Sequence, residues 1–331
     1  MAQADPQNIL LIHFGQLGDV ALALPTIKAV REKFAGAKLT ILSGRSTAGL
    51  IRLARVADEQ IAVDRVALRD GNKVRSVAEI LVLVKNVRGR RFDLVIDLHS
   101  LYETNLLGYL SGARERLFAH RDRRSLQKLS KFPVHPPSED RSMHHADRYA
   151  AVVKALGITD VQRRIRIKPP ADAEEAAEAI IKKKGLKSES LLGLFLGAGH
   201  RSRRWDVEKF AKTARLLSDR KVAVLLGPEE RDLRPGLQAK FGDAAALIEE
   251  LPLDVFFAFL TKLDVIVTGD TGPMHLAAAA GAGIVMLSQA GAPDIFDPLA
   301  ERLTVLRQTT LDALAPADVA AAVDSLSQPH K

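Results

Sequence analysis

Two strand–turn–helix units, one at each end of the chain, constrain its fold more than any other feature. From Thr268 to Gly281 the sequence reads TGDTGPMHLAAAAG. A β-branched run, Val265 to Thr268, stops at a polar turn, and an alanine-rich helix begins with Pro273 at its expected first position. The turn carries Gly269, Asp270, Thr271, Gly272 and His275. Glycines let the backbone approach a ligand closely, and the unpaired N–H groups of the first helical turn point toward it, which is the chemistry of a phosphate cradle. A unit of similar type, NILLIHFGQLGDVALALP from Asn8 to Pro25, opens the chain.

Between these units the pattern alternates. Strands are expected at Ile9–Phe14, Lys38–Leu42, Ile61–Val63 and Leu94–Leu98. The intervening helices fall at Val20–Phe34, with Pro25 as a kink, and at Ser46–Arg55, Val74–Arg88 and Asn105–Gly112. A proline-rich loop, Phe132 to Asp140, interrupts the series; helices His145–Leu156 and Ala171–Lys184 flank a crossing segment at Val161–Pro170. A second series follows, with strands at Leu191–Leu196, Val222–Leu226, Ala246–Ile248, Val265–Thr268 and Ile284–Leu287. Its helices are Val207–Leu217, Arg231–Phe241, Asp254–Leu260, Pro273–Ala280 and Pro316–Leu326. Apolar strands alternating with amphipathic helices imply parallel sheets covered on both faces. The expectation is an α/β chain of two Rossmann-like domains, 1–165 and 166–331, with a cleft between them and a final helix free to pack back on the first domain. Ligands of such sheets bind at the C-terminal ends of the strands, where both glycine-bearing turns lie.

Composition narrows the chemistry. The 331 residues suit two domains of ordinary size, and 47% hydrophobic content with only 5% aromatic content means aliphatic cores. The absence of cysteine excludes disulfides, thiolate metal sites and a cysteine nucleophile, and suits a reducing cytosol. Neither a signal peptide nor a membrane-spanning apolar stretch is visible, so a cytoplasmic protein is expected. A net charge of +8 permits acidic partners, although on charge alone a merely basic surface is the first reading. The basic residues crowd one stretch: Arg114, Arg116, Arg121, Arg123, Arg124, Lys128 and Lys131. No aromatic platform interleaves with them and no nucleic-acid-binding signature is present, so no nucleic-acid partner is expected.

Four constellations carry candidate chemistry, each beside a plainer reading. Asp19, after Gly15-Gln16-Leu17-Gly18, is read as an N-cap or as a carboxylate base kept ionised by a helix N-terminus. Gly197–Asp206, GAGHRSRRWD, is a solvated loop anchored by the lone tryptophan, Trp205, or a cationic clamp in which arginines grip a diphosphate. The Gly227-Pro228-Glu229-Glu230 run is a helix start or a strand-end carboxylate for a ribose. The fourth is the Asp270–His275 turn. Scattered histidines with no HExxH-type spacing argue against a bound metal.

Their order along the chain resembles the heptosyltransferases, glycosyltransferase family nine. The resemblance is carried by GQLGDVALALP, HHADRYAAVVKALG, the basic loop before Trp205, the GPEE turn and, most specifically, DTGPMHLAAAAG. It implies a GT-B architecture with an acceptor-binding first domain and a nucleotide-sugar-binding second domain. It also implies inverting transfer without a bound metal or other cofactor. Asp19 matches the family's catalytic base. Arg203 stands where the family commonly has a phosphate-binding lysine, Glu230 or its neighbour Glu229 falls at the ribose carboxylate, and Asp270 matches the residue that holds the donor sugar. Gly199, Thr271, Gly272 and His275 complete the donor site, with Leu251 against the adenine. Gly18, Arg121, Arg123 and Arg124 are assigned to the acceptor. The implied partners are an ADP-linked sugar, foremost ADP-heptose, and an anionic glycolipid of the lipopolysaccharide core, met at the inner face of a membrane. Two departures stand out: Asp206 replaces the proline usual after the tryptophan, and Gly15-Gln16 replaces a hydroxyl-bearing turn. The alternatives are an NAD-dependent oxidoreductase, which would need the GxGxxG turn this chain lacks, and a non-catalytic nucleotide-sugar-binding protein of the same fold.

Overall fold

The computed structural model describes residues 5–65, 67, 72–198, 200 and 203–327. The chain divides into two compact units, Met1–Ile165 and Arg166–Lys331.

Among the described residues, the first unit contains β1 (Asn8–His13), α1 (Leu17–Lys33), β2 (Lys38–Gly44), α2 (Ala48–Ala54), β3 (Glu59–Val63) and α3 (Lys73–Gly89). It continues with β4 (Leu94–Asp97), α4 (Tyr102–Leu110), β5 (Glu115–Phe118) and α5 (His145–Val153). All pairings are parallel and the strand order is β3-β2-β1-β4-β5. α1 reads VALALPTI through its middle and is buried there on every side, because it packs against both α5 and α2. It runs continuously through Pro25, where the sequence suggests a kink. β5 was not expected: Glu115 and Arg116 hide the apolar pattern of an edge strand, and only Leu117 and Phe118 are fully buried.

The second unit opens with α6 (Ala171–Lys183), then β6 (Leu192–Phe195), α7 (Val207–Leu216), β7 (Val222–Leu226), α8 (Leu237–Phe241), β8 (Ala246–Glu249) and α9 (Leu253–Leu260). It closes with β9 (Val265–Gly269), α10 (Gly272–Ala280), β10 (Gly283–Gln289), β11 (Leu303–Gln308) and α11 (Pro316–Ser327). Its sheet runs β11-β10-β9-β6-β7-β8, all parallel, which is the dinucleotide-fold order of six strands. β11 is a further strand that the sequence reading missed; polar ends at Thr304, Arg307 and Gln308 mask it. The expected helix Arg231–Phe241 is instead a 3₁₀ turn, Pro228–Leu233, followed by α8, with Pro235 and Gly236 between them. The final helix, which the sequence left free to return to the first domain, packs within its own unit on α7, β9 and β10. Asp206, at the position where the family usually has proline, caps α7 by accepting the Glu208 and Lys209 N–H groups.

Trp205 lies edge-on to Phe210, 4.8 Å between ring centroids, in the core between sheet and α7, and both are buried. Truncating a fully buried aromatic removes its transfer energy and leaves a cavity. Phe210→Ala is therefore expected to lower the unfolding free energy of the second unit by about 3–5 kcal/mol. Urea unfolding followed by the fluorescence of Trp205, the lone tryptophan, measures it. A loss below about 1 kcal/mol would mean that the site collapses around the deletion.

Candidate active site

In each sheet the strand order reverses once, between β1 and β4 and between β6 and β9. The loops leaving such a pair diverge to opposite faces and open a crevice at the C-terminal strand ends. Asp19 follows the first of these reversals, and Arg203 and Asp270 follow the second.

In the first unit the turn after β1 is shaped by Gly15. A Cβ there would lie 2.4 Å from Asp19 Cβ and 2.5 Å from His13 Cε1, so no side chain fits. Gln16 is the N-cap of α1, and Asp19 is the third helical residue rather than the cap itself. Asp19 Oδ2 accepts the Gln16 N–H at 2.9 Å, so the capping reading holds in modified form. Asp19 Oδ1 lies 3.6 Å from His145 Nδ1. Burial raises the Asp19 carboxyl, while the Gln16 N–H and the charge of Arg121 pull it back. Gly18, beside it, is half-buried.

Behind Asp19 lies a cluster of rings that sequence reasoning did not single out. His13 ends β1, fully buried, and stacks edge-on with Tyr149 at 5.0 Å and with His99 at 6.1 Å. Tyr149 in turn meets His145 at 5.1 Å. His13 Nδ1 accepts the Gly15 N–H, leaving Nε2 buried without a hydrogen-bond partner, as is His99 Nε2. Desolvation first, then the neighbouring His99, Arg121 and His145 charges, hold His13 well below its usual range. His99 is brought down to about 3 by burial and by Arg121, Arg65 and Arg124. The loop carrying His99 is fixed by Asp97, which accepts the Ser100 N–H and the Asn105 amide, each at 2.7 Å. Burial lifts that carboxyl to about 6 against these hydrogen bonds. A strand ending in Asp97 and followed by Leu98-His99-Ser100 was the available signal.

The basic stretch separates into unlike parts. Arg121 is buried, with Nε 3.5 Å from Glu139, and Arg148 approaches the same carboxylate at 3.7 Å. These three side chains line a cavity of about 270 Å³ whose wall also includes Tyr149 and Met143. Arg123 and Arg124 are exposed, so the solvated-face reading suits them and fails for Arg121.

In the second unit, Arg203 follows β6 and Asp270 follows β9, and Arg203 Nη1 meets Asp270 Oδ2 at 3.2 Å across the strand reversal. Both are partly exposed, so the pair itself contributes little stability. Desolvation and Asp297 raise the Asp270 carboxyl and Arg203 lowers it, desolvation being the largest effect. Thr271 is the N-cap of α10, Gly272 its first residue and Pro273 its second, one place later than the sequence suggests. His275 is buried in the first turn. Glu230, not Glu229, is the buried carboxylate after β7; it accepts the Gly227 N–H at 3.0 Å, and a Cβ at Gly197 would lie 2.2 Å from its Oε1. Glu229 is exposed and Leu251, after β8, is half-buried. Of the three clustered arginines, Arg204 is tied to Asp232 at 2.7 Å, leaving Arg203 to face outward; Arg201 and Gly199 lie outside the described residues. Trp205 is the anchor of the plainer reading. Among the described residues no group of three His, Asp or Glu side chains is placed to hold a metal ion.

The buried histidines give a signed pH dependence. A histidine depressed to about 3 in the folded chain takes no proton between its ordinary value near 6.5 and 3, whereas the unfolded chain does. Stability is therefore whole above about 6.5 and falls as pH drops toward 3, by about 1.4 kcal/mol per pH unit for one such group. His99→Leu is expected to flatten that acid limb by one proton's worth, read as protection of β1 and β4 amides from hydrogen exchange at matched pH. An unchanged limb would show that His99 titrates normally.

With this geometry in hand, likeness to known proteins is specific. A model described as glycosyltransferase family 9 (heptosyltransferase) matches residues 80–318. Lipopolysaccharide heptosyltransferase 3 of Escherichia coli (strain K12) is 24% identical over 283 residues, 82% of this chain and 79% of that protein. The crystal structure of a family 9 glycosyl transferase from Veillonella parvula DSM 2008 has a TM-score of 0.84 at 21% identity, covering 97% of both chains. E. coli heptosyltransferase WaaC with ADP has a TM-score of 0.76 at 18% identity, covering 96% of this chain and 99% of that one. At these identities the structural likeness carries the fold, two Rossmann-like domains of the GT-B type, and the family match sets aside the oxidoreductase alternative. Because the matched segment spans well over half of its length, this chain belongs to glycosyltransferase family 9, the heptosyltransferases, and is a glycosyltransferase.

Proposed function

We propose that the chain transfers a heptose from ADP-heptose, or a related nucleotide sugar, to a hydroxyl of an acidic glycan of the lipopolysaccharide core. Transfer inverts the anomeric centre and uses no bound metal. Support for the donor comes from two directions. One solved relative is described as carrying ADP and a curated relative is named for lipopolysaccharide heptosyl transfer. Independently, Arg203 and the first N–H groups of α10 offer a cation and a helix N-terminus beside one another, which suits a diphosphate. In this reading Arg203 exchanges Asp270 for the donor phosphates, and Asp270 is released to hold the sugar. Glu230 accepts from the ribose, with Glu229 at the rim, and Leu251 lies against the base. Thr271, Gly272 and His275 shape the turn, and Gly199 completes it. Charge growing on the leaving diphosphate meets donors already in place, the usual source of large electrostatic stabilisation.

The observation that carries the mechanism is the state of Asp19. One oxygen is fixed by a backbone N–H, the other is directed toward His145, and burial raises its proton affinity. A carboxylate so held is a better base than an exposed aspartate. An acceptor hydroxyl attacks the anomeric carbon opposite the diphosphate while Asp19 Oδ1 takes its proton. Gly18 leaves room for the acceptor, and Arg121, Arg123 and Arg124 attract its negative charge.

Asp19→Asn tests this. The amide oxygen can still accept the Gln16 N–H, so fold and ADP affinity are expected to stay near native, with turnover down by roughly a hundredfold to ten-thousandfold. A folded variant with wild-type turnover would remove Asp19 from the mechanism; an unfolded one would make it a structural cap.

A further inference from the structure

Among the described residues, eight of the eleven exposed large apolar side chains lie on just two neighbouring helices of the first unit, α3 and α4. On α3, Val74, Val77, Leu81 and Val82 are 57% to 80% exposed and Ile80 is 45% exposed. Val74, Val77, Ala78 and Leu81 fall at i, i+3, i+4 and i+7, one stripe of a helix. That stripe is not the one that holds the fold together. Val87, with Leu83 and Val84 against it, packs on the sheet through the opposite face. On α4, Tyr102, Leu106 and Tyr109 are about half exposed while Leu107 is buried. Arg88 Nη1 donates to the Leu110 carbonyl at 3.4 Å and links the two helices. Scattered exposed apolar groups need no explanation, but a second apolar face on one helix with exposed apolar groups on its neighbour does.

The charges around this face are mostly positive. Lys73, Arg75, Lys85 and Arg88 lie on α3, Arg90 (paired with Glu59) and Arg91 follow its end, and the helix's one acid, Glu79, is tied to Arg75 at 2.8 Å. Beyond α4, Arg116 lies over the Tyr109 ring, 5.3 Å from its centroid, and the Tyr102 hydroxyl donates to the Arg123 carbonyl. Glu103 is the acid of α4. A helix with an outward apolar stripe and a cationic rim is built for the plane between lipid headgroups and acyl chains. A second copy of the chain fits less well, because a self-complementary contact would oppose these cations to themselves. Nucleic acid would meet the valines and leucine rather than the charge.

We infer that the face formed by α3 and α4 docks the protein on a bilayer rich in anionic lipid. Val77, Leu81, Leu106 and Tyr109 enter the headgroup region, and Lys73, Lys85 and the exposed Arg123 sit at the lipid charges. No helix of the described residues is long and apolar enough to cross a membrane, so the contact is interfacial. It also gives the exposed Arg123 a lipid contact beside the acceptor attraction proposed above. The inference stands on exposure and charge and does not depend on the reaction proposed above.

The test is co-sedimentation with vesicles of phosphatidylglycerol and phosphatidylcholine against vesicles of phosphatidylcholine alone. Wild type is expected to partition onto the anionic vesicles and to be released by salt. Val77→Glu with Leu81→Glu, both outward, should weaken partitioning at least about tenfold with an unchanged thermal unfolding midpoint, since buried apolar area drives interfacial binding. Lys73→Gln with Lys85→Gln should weaken it by roughly fivefold per charge. The inference is overturned if wild type ignores anionic vesicles, if the double glutamate variant sediments like wild type, or if the face instead mediates a dimer that this variant dissociates.

Discussion

The single reversal of strand order in each parallel sheet is the constraint on which the rest depends. At β1 and β4, and again at β6 and β9, adjacent strands send their chains to opposite faces, and a crevice is left where the strands end. Side chains carried just past those strands are brought together there. Asp19 and His99 meet this condition in the first unit, Arg203 and Asp270 in the second. The cost is a set of buried polar groups at the strand ends. The first unit meets it with Asp97, whose contacts to Ser100 and Asn105 fix the loop after β4.

Both units solve one local problem in the same way. A carboxylate three residues past a helix N-cap folds back to accept the cap's own N–H: Asp19 to Gln16 and Glu230 to Gly227. In each case a glycine makes room, Gly15 for Asp19 and Gly197 for Glu230. The arrangement fixes one oxygen, keeps the group partly out of water and leaves the other oxygen for chemistry or binding. Structural and functional readings of these acids are therefore not rivals, because the cap is what orients the carboxylate. Arg121 has a comparable double part. Buried beside Glu139, it also supplies the positive charge felt by Asp19, Asp97, His13 and His99.

Much of this was legible in the sequence because parallel strands buried on both faces are nearly continuous apolar runs. β7 matches its expected span, and the helices opening at Lys73, His145 and Ala171 deviate by a residue or a short 3₁₀ extension. β5 and β11 escaped because edge strands need little burial and theirs carry charges. Turn glycines and acids marked where the sites would be. What the sequence could not supply was which member of a local cluster faces the site. Arg204 is covered and paired with Asp232, whereas Arg203 stays exposed beside Asp270, and Glu230 differs from Glu229 in the phase of a 3₁₀ turn. The His13–His99–Tyr149–His145 cluster is assembled from three distant segments, the end of β1, the loop after β4 and α5, and segments so far apart leave no single motif to read.

The central claim is that the donor's nucleotide is held by the second unit alone, at the turn that pairs Arg203 with Asp270. Backbone amide chemical shifts recorded during titration with ADP test it most directly. The account expects perturbations at Gly227–Glu230, Arg203 and Gly269–His275, with the amides from His13 to Asp19 unmoved. Perturbations concentrated at His13–Asp19, with the Gly269–His275 turn silent, would contradict it.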